Sequence, residues 1–128
     1  MKNILYILLA ALTFVSCNGQ QKKGVELVPP DAFQKEMAQY KGQLIDVRTT
    51  KEYNSGHIEG AKHLHLYDAD FSQRLDSLDK NKTVYVYCKV GGRSAEAVDT
   101  LKQKGFVHVV ELKGGIDAWA AAGKPVKQ

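Results

Sequence analysis

Five short apolar runs recur along the chain, and each is separated from the next by a segment with helical spacing or by a glycine-containing loop. The runs are 25–28, 43–47, 62–66, 84–87 and 107–112. Between the first two runs, Phe33, Met37 and Tyr40 recur at the spacing of one helical face. This alternation predicts an α/β fold in which helices flank a central, mostly parallel, five-stranded sheet on both faces.

Polar or reactive residues follow two of the predicted strands. Asp46 and Arg48 lie at the end of the second run, and Cys88 comes directly after the fourth. Binding and active sites of open α/β sheets form at the carboxyl ends of the strands. We therefore expect a functional site at this edge of the sheet.

The fourth strand leads into a glycine-containing loop and then into a predicted helix in which Ala95, Val98 and Leu101 share one face. The loop reads Cys88-Lys89-Val90-Gly91-Gly92-Arg93-Ser94. The N–H groups and the dipole at a helix N-terminus favour a thiolate, and glycines let successive N–H groups turn inward around an anion. The loop thus predicts a nucleophilic cysteine in an anion-binding turn. A buried, inert cysteine beside a glycine turn is the alternative.

The first sixteen residues differ from the rest of the chain in composition, because most of them are apolar. Lys2 precedes an apolar stretch, 4–15, which has the length of a signal-peptide core and falls short of the ~20 residues that span a membrane. The sequence around Cys17 resembles the lipobox of bacterial lipoproteins, in which the cysteine carries lipid and becomes the new N-terminus. This lipobox-like sequence is Phe14-Val15-Ser16-Cys17-Asn18.

These patterns divide the chain into three parts: a lipoprotein signal peptide at 1–16, a polar tether at 17–24 and one folded domain at 25–127. The predicted location is the cell envelope, either in the periplasm or on the outer face, with the membrane anchor at Cys17. An ordinary cleaved secretory signal is the alternative. A lipid on Cys17 would leave Cys88 as the only thiol of an exported protein, which marks it as a candidate for reactivity.

Composition excludes several classes of protein. The 44% hydrophobic and 25% charged content is that of a soluble globular domain and argues against intrinsic disorder. The net charge of +4 is mild, and the lysines are scattered, so we expect a solvated surface and no nucleic-acid partner.

Four blocks of sequence, spread over about 25–126, occur in an order that resembles a single-domain rhodanese. The loop matches the Cys-x-x-Gly-x-Arg form of many bacterial members. The blocks are Asp46-Val47-Arg48-Thr49-Thr50-Lys51-Glu52-Tyr53, Gly56-His57-Ile58-Glu59-Gly60-Ala61, the Cys88 to Ser94 loop, and Leu112-Lys113-Gly114-Gly115 with Ala118-Trp119 and Gly123-Lys124-Pro125.

This resemblance implies the three-layer rhodanese fold and a sulfurtransferase in which Cys88 cycles between thiolate and persulfide. It implies a small-molecule sulfur donor such as thiosulfate, a cyanide or thiol acceptor, a monomer, and no metal or organic cofactor. We also expect the side chains of Arg93 and Lys89 to attract a dianionic donor. The residues whose backbone would form the persulfide cradle are Lys89, Val90, Gly91, Gly92, Arg93 and Ser94.

The other residues of these blocks receive structural roles. We hypothesise that Arg48 pairs with Glu52 and fixes the loop after the second strand. His57 is expected to hydrogen-bond its own loop, and Trp119 is expected in the core. His63 and His65, which alternate along a predicted strand, form only a weak metal signal.

Two other functions remain open at this point. Rhodanese-like domains without the cysteine serve as non-catalytic binding modules, although Cys88 is present here. Cysteine-dependent phosphatases of related fold carry five residues between cysteine and arginine, whereas four separate Cys88 from Arg93. A dithiol redox role is disfavoured because the chain has no Cys-x-x-Cys sequence.

Overall fold

The computed structural model describes residues 22–128. The predicted signal peptide, the predicted lipidation site Cys17 and residues 18–21 of the tether lie outside the described residues. Within 22–128, no helix has both the length and the apolar character needed to cross a bilayer.

A parallel sheet of five strands forms the centre of the structure, in the order β1-β5-β4-β2-β3. The strands are β1 (Gly24–Val28), β2 (Gln43–Asp46), β3 (Lys62–His63), β4 (Val84–Tyr87) and β5 (His108–Leu112). The helices are α1 (Pro30–Gln39), α2 (Thr50–Ser55), α3 (Phe71–Arg74), α4 (Gly92–Gln103) and α5 (Gly115–Ala121), with a 3-10 turn at Leu75–Ser77. The predicted α/β class and the five-stranded parallel sheet are therefore confirmed.

The central strand β4 is buried on both faces, and its side chains alternate between two apolar clusters. Val84 and Val86 belong to the cluster covered by α3 and α4. Tyr85 and Tyr87 belong to the other cluster, which α1 and α5 cover. Trp119 lies in this second cluster with 2% of its surface exposed, which confirms its predicted place in the core. The same alternation turns Cys88 toward α4.

The third strand is shorter than the predicted run 62–66. The chain after β3 stays beside β2, where the N–H groups of Leu64 and Leu66 donate to the carbonyls of Asp46 and Val47. Regular parallel pairing would continue at Arg48, but the Arg48 N–H turns back and donates to the Asp46 carboxylate over 2.9 Å, and the Arg48 carbonyl contacts His63 Nε2 over 2.6 Å. The ladder therefore ends after two residues.

The buried face of α4 also differs from the predicted face. Ala95 is exposed, and its place on the inner face is taken by Ser94, which is fully buried together with Ala97. Val98 and Leu101 are buried as predicted. A polar side chain belongs to the inner face because its hydroxyl has buried hydrogen-bond partners there.

Candidate active site

The turn from β4 into α4 surrounds the Cys88 sulfur. Cys88 follows the last residue of β4 and is 1% exposed. Gly91 caps α4 with a φ of +125°, a backbone conformation that favours glycine. In this conformation the Gly91 N–H donates to Cys88 Sγ over 3.0 Å.

The sulfur also lies at the N-terminal end of a long helix. The first turn of α4 contains Ser94, whose Oγ is 3.4 Å from Cys88 Sγ. N–H groups of a first helical turn have no acceptor within the helix and carry the positive end of its dipole. This arrangement stabilises negative charge on a sulfur at the turn.

The start of α5 holds the same turn from the other side. The N–H groups of Ile116 and Asp117 donate to the carbonyls of Cys88 and Lys89 over 2.9 and 3.1 Å. Gly115 lies against these carbonyls with a φ of +62°, and a Cβ atom there would be 2.3 Å from the Lys89 oxygen. A glycine at 115 is therefore needed for the close approach of α5 to the cysteine loop.

Arg93 projects from the first turn of α4 toward α2. Its two terminal nitrogens donate to the two carboxylate oxygens of Glu52 over 2.8 and 2.9 Å. The hydrogen bond from Arg93 lowers the pKa of Glu52, and the same bond raises the pKa of Arg93. This bidentate pair ties the first turn of α4 to α2.

The predicted pairing of Arg48 with Glu52 is wrong. Arg48 curls back on Asp46, two residues earlier, with an Nη2 to Oδ2 distance of 2.7 Å, and the Asp46 carboxylate also accepts from the Arg48 backbone N–H. Arg48 donates as well to the Gly56 carbonyl over 2.7 Å. Arg48 is 5% exposed and Asp46 is fully buried, so each charge needs its nearby partner.

Comparison with known proteins identifies the family. The model of the rhodanese-like domain matches residues 29–122. The chain belongs to the rhodanese-like family.

Relatives and solved structures agree with this assignment. The uncharacterized protein YqhL of Bacillus subtilis is 39% identical over 87 residues, which are 68% of this chain and 68% of that protein. A protein of Allochromatium vinosum named sulfurtransferase is 37% identical over 83 residues, covering 65% of this chain and 76% of its own length. The crystal structure of a rhodanese-related protein from Thermoplasma volcanium superposes with a TM-score of 0.70 at 27% identity and covers 80% of this chain and 97% of its own.

The rim of the rhodanese-like site carries exposed side chains. Val90 is 63% exposed, and Lys89 forms an exposed ion pair with Asp117 over 2.6 Å. Tyr67, which is 65% exposed, donates to Glu96 on α4 over 3.2 Å. The buried sulfur thus lies beneath a rim that is partly apolar and partly charged.

The histidines of the rhodanese-like domain take part in local contacts. His57 places Nδ1 3.0 Å from the Tyr53 carbonyl and stacks on the Tyr53 ring, so it binds its own loop as predicted. His63 contacts the Arg48 carbonyl, and His65 lies 3.1 Å from an Asp68 carboxylate oxygen.

A different set of residues brings possible metal-ligand atoms together. Glu26, Glu36 and His108 place one such atom each within 4.8 Å of one another. The Lys22 ammonium lies 3.0 Å from Glu36 and 3.8 Å from Glu26, and His108 contacts Glu26 over 2.6 Å. Lys22 and His108 therefore already contact the carboxylates of this cluster.

One polar contact of the site was missed from the sequence. Glu111 on β5 is 8% exposed, and its Oε2 lies 2.7 Å from Ser94 Oγ. Burial raises the pKa of this carboxyl; the Ser94 hydrogen bond opposes the rise, and the negative charge of Asp99 adds to it. An acidic residue inside the apolar run 107–112 was the available signal.

Proposed function

We propose that this rhodanese-like chain is a sulfurtransferase that moves sulfane sulfur from a donor such as thiosulfate to an acceptor such as cyanide or a thiol. One observation carries the proposal: Cys88 Sγ lies at the N-terminal end of α4 with the Gly91 N–H directed at it over 3.0 Å. Relatives named as sulfurtransferases support the same class.

In the first half-reaction, the Cys88 thiolate attacks the outer sulfur of thiosulfate. A new S–S bond forms, the original S–S bond breaks, and its electron pair leaves with sulfite. The product is a Cys88 persulfide with its negative charge on the outer sulfur. Backbone N–H groups already oriented at the turn stabilise that charge without rearrangement.

In the second half-reaction, the acceptor attacks the outer sulfur of the persulfide. With cyanide, a C–S bond forms, the S–S bond breaks, and its electron pair returns to Cys88 Sγ as the thiolate. Thiocyanate leaves, and the starting form of the protein is restored. Neither half-reaction needs a general base, and His57 receives no role in them.

The proposed cradle is the backbone of the loop from Lys89 to Ser94, as the resemblance implies. The Arg93 side chain already binds Glu52 through both terminal nitrogens, and Lys89 is paired with Asp117. The backbone groups are therefore the main stabilisers of the sulfur anion in this proposal, and the two side chains contribute mainly to the shape and the charge of the rim.

The experiment that tests the proposal is steady-state transfer of sulfur from thiosulfate to cyanide by the chain and by Cys88→Ser. We expect thiocyanate formation with ping-pong kinetics in the wild type and only the background rate in the variant. A folded wild-type protein that is no faster than Cys88→Ser would contradict the enzyme and favour a binding module.

We also propose that the domain is held at a cell-envelope membrane through lipid on Cys17. The support is the apolar stretch 4–15 followed by the lipobox-like sequence. In a native membrane preparation, the wild type should carry a lipid mass on Cys17, and Cys17→Ser should lose that mass and appear in the soluble fraction. A wild-type protein without lipid on Cys17 would contradict the anchor.

A further inference from the structure

A histidine and two glutamates meet on the α1 side of the sheet, away from the sulfur site. His108 begins β5, Glu26 lies on β1, and Glu36 lies on α1. Each places one possible metal-ligand atom within 4.8 Å of the other two. Cys88 follows the opposite, carboxyl end of the parallel strand β4 and turns toward α4. The cluster is therefore separate from the sulfur site.

The His108 ring is held so that one nitrogen faces the glutamates. His108 is 1% exposed, and its Nδ1 lies 2.8 Å from the hydroxyl oxygen of Thr83, which is also buried. Nε2 lies 2.6 Å from Glu26 Oε2. When the neutral ring carries its proton on Nδ1, the Thr83 oxygen accepts that proton and the lone pair of Nε2 is free to bind a cation. Metal-binding histidines are usually oriented by such a partner on the other ring nitrogen.

Glu36 has a carboxylate oxygen without a partner. Its side chain is 14% exposed, and Oε1 accepts from the Lys22 ammonium over 3.0 Å. Oε2 is buried and has no hydrogen-bond partner within residues 22–128. A buried oxygen that contacts neither a donor nor a cation costs free energy. A metal ion bound at this carboxylate would remove that cost.

The same place already holds a positive charge. The Lys22 ammonium lies 3.0 Å from Glu36 Oε1 and 3.8 Å from Glu26 Oε1. With a neutral His108, this single charge balances one of the two carboxylates, whereas a divalent ion balances both. Lys22 belongs to the predicted tether, and its side chain is 42% exposed, so the ammonium can move into solvent at little cost. Lys22 is therefore a competitor that a metal ion can displace.

We propose that Glu26, Glu36 and His108 bind one Zn²⁺ ion. Imidazole nitrogen and carboxylate oxygen are zinc ligands, and three protein ligands with one water molecule complete a tetrahedral site. Mg²⁺ and Ca²⁺ favour oxygen ligands alone, so the buried imidazole selects against them. Zinc bonds of about 2.0–2.2 Å hold ligand atoms about 3.3 Å apart, a separation that the two flexible glutamate side chains reach by rotation.

The bound ion links three elements at the start of the folded domain. In the described sheet β1 is an edge strand that pairs with β5, and α1 follows it in the chain. Folding brings the three ligands together, so zinc binds the folded state more tightly than the unfolded chain and stabilises it. The ion takes no part in sulfur transfer, because it lies at the other end of the strands from Cys88.

The test measures Zn²⁺ binding to the full chain in detergent by isothermal titration calorimetry. Thiolates bind zinc themselves, so both cysteines are first replaced, by Cys17→Ser and Cys88→Ser. This thiol-free chain is the reference protein. Mg²⁺ is titrated in parallel, and thermal unfolding is followed with and without Zn²⁺.

Three further substitutions in the reference protein change the proposed site. His108→Asn keeps a polar group near the position of Nδ1 but lacks Nε2, and Glu36→Gln replaces the carboxylate by an amide of similar shape. Lys22→Gln removes the competing ammonium. His65→Asn is the matched control, because His65 also lies beside an acid, 3.1 Å from Asp68, but outside the cluster.

We expect the reference protein to bind one Zn²⁺ per chain and no Mg²⁺ at the same concentration. His108→Asn and Glu36→Gln should weaken zinc binding by at least about tenfold, because each removes a ligand. Lys22→Gln should bind zinc up to about fivefold more tightly, since the ammonium no longer competes. His65→Asn should bind it as the reference does. Zn²⁺ should raise the temperature of unfolding of the reference protein and leave that of His108→Asn unchanged.

A reference protein that binds no zinc would overturn the inference. Zinc affinity that is unchanged in His108→Asn or in Glu36→Gln would also overturn it, as would a loss in His65→Asn equal to theirs. An affinity that does not rise in Lys22→Gln would contradict the displacement of the ammonium. If His108→Asn does not fold, the opposite shifts in Glu36→Gln and Lys22→Gln decide the question. None of these measurements depends on sulfur transfer, so this inference and the proposed function stand or fall separately.

Discussion

At the scale of single residues, two arginines that flank the site have different partners and different tasks. Arg48 is buried against Asp46 and fixes the loop after β2. Arg93 joins the first turn of α4 to Glu52 of α2, and its side chain is 22% exposed. The Arg48 guanidinium therefore shapes the chain from β2 to Gly56, whereas the Arg93 guanidinium holds the first turn of α4, beside Cys88, against α2.

The Arg93–Glu52 pair predicts a specific pH dependence of stability. Arg93 lowers the pKa of Glu52 in the folded state, so the pair adds stability above the ordinary glutamate value of 4.5 and loses it as the pH falls through the folded value. We expect Glu52→Gln to lower the free energy of unfolding by about 1 kcal/mol at pH 7 and by almost nothing near pH 3. Urea unfolding at pH 7, 5 and 3 measures the difference.

Glu59→Gln is the control for this prediction, because the Glu59 side chain is 82% exposed and its contact with the Lys127 ammonium is long, at 3.8 Å. Its effect should be close to zero at each pH. A Glu52→Gln difference that stays constant from pH 7 to 3 would show that the carboxylate charge is not what stabilises the pair.

At the scale of elements, the turn around Cys88 is formed where the ends of β4, α4 and α5 meet. Cys88 directly follows β4, and its sulfur lies beside the N-terminus of α4. The first N–H groups of α5 donate to the carbonyls of Cys88 and Lys89. Gly115 allows the third of these contacts, because its missing side chain leaves room for the Lys89 carbonyl. The position of α5 is therefore coupled to the shape of the cysteine loop.

Gly115→Ala tests this coupling against Gly123→Ala. Both glycines have positive φ, +62° and +76°, so both variants bear a conformational cost of about 1–2 kcal/mol. Only at Gly115 would the new Cβ meet backbone, 2.3 Å from the Lys89 oxygen; at Gly123 no heavy atom lies within 4 Å. We expect Gly115→Ala to be the less stable variant in urea and to lose most sulfur transfer, while Gly123→Ala keeps it. Equal stability and activity in the two variants would refute the coupling.

At the scale of the whole molecule, the order of strands and helices could be predicted because each buried strand is a local apolar run and each helix has its own period. The cysteine loop and the Gly114-Gly115 sequence were also recognisable within short stretches. Partners that are distant in the chain were not: Arg93 and Glu52 are 41 residues apart, and Ser94 and Glu111 are 17 apart. Such pairs depend on how α2, α4 and β5 pack together, which the spacing of apolar residues does not encode.

Within residues 22–128, Cys88 is the only cysteine, and its buried sulfur lies at the N-terminal end of α4. The proposed reaction requires this sulfur to carry a second one. The most direct measurement is mass spectrometry of the chain after incubation with thiosulfate and removal of the excess, with peptide mapping to Cys88. We predict a gain of ~32 Da on the Cys88 peptide that cyanide removes and that Cys88→Ser never shows. A folded wild-type protein whose Cys88 peptide gains no mass from thiosulfate would contradict the account.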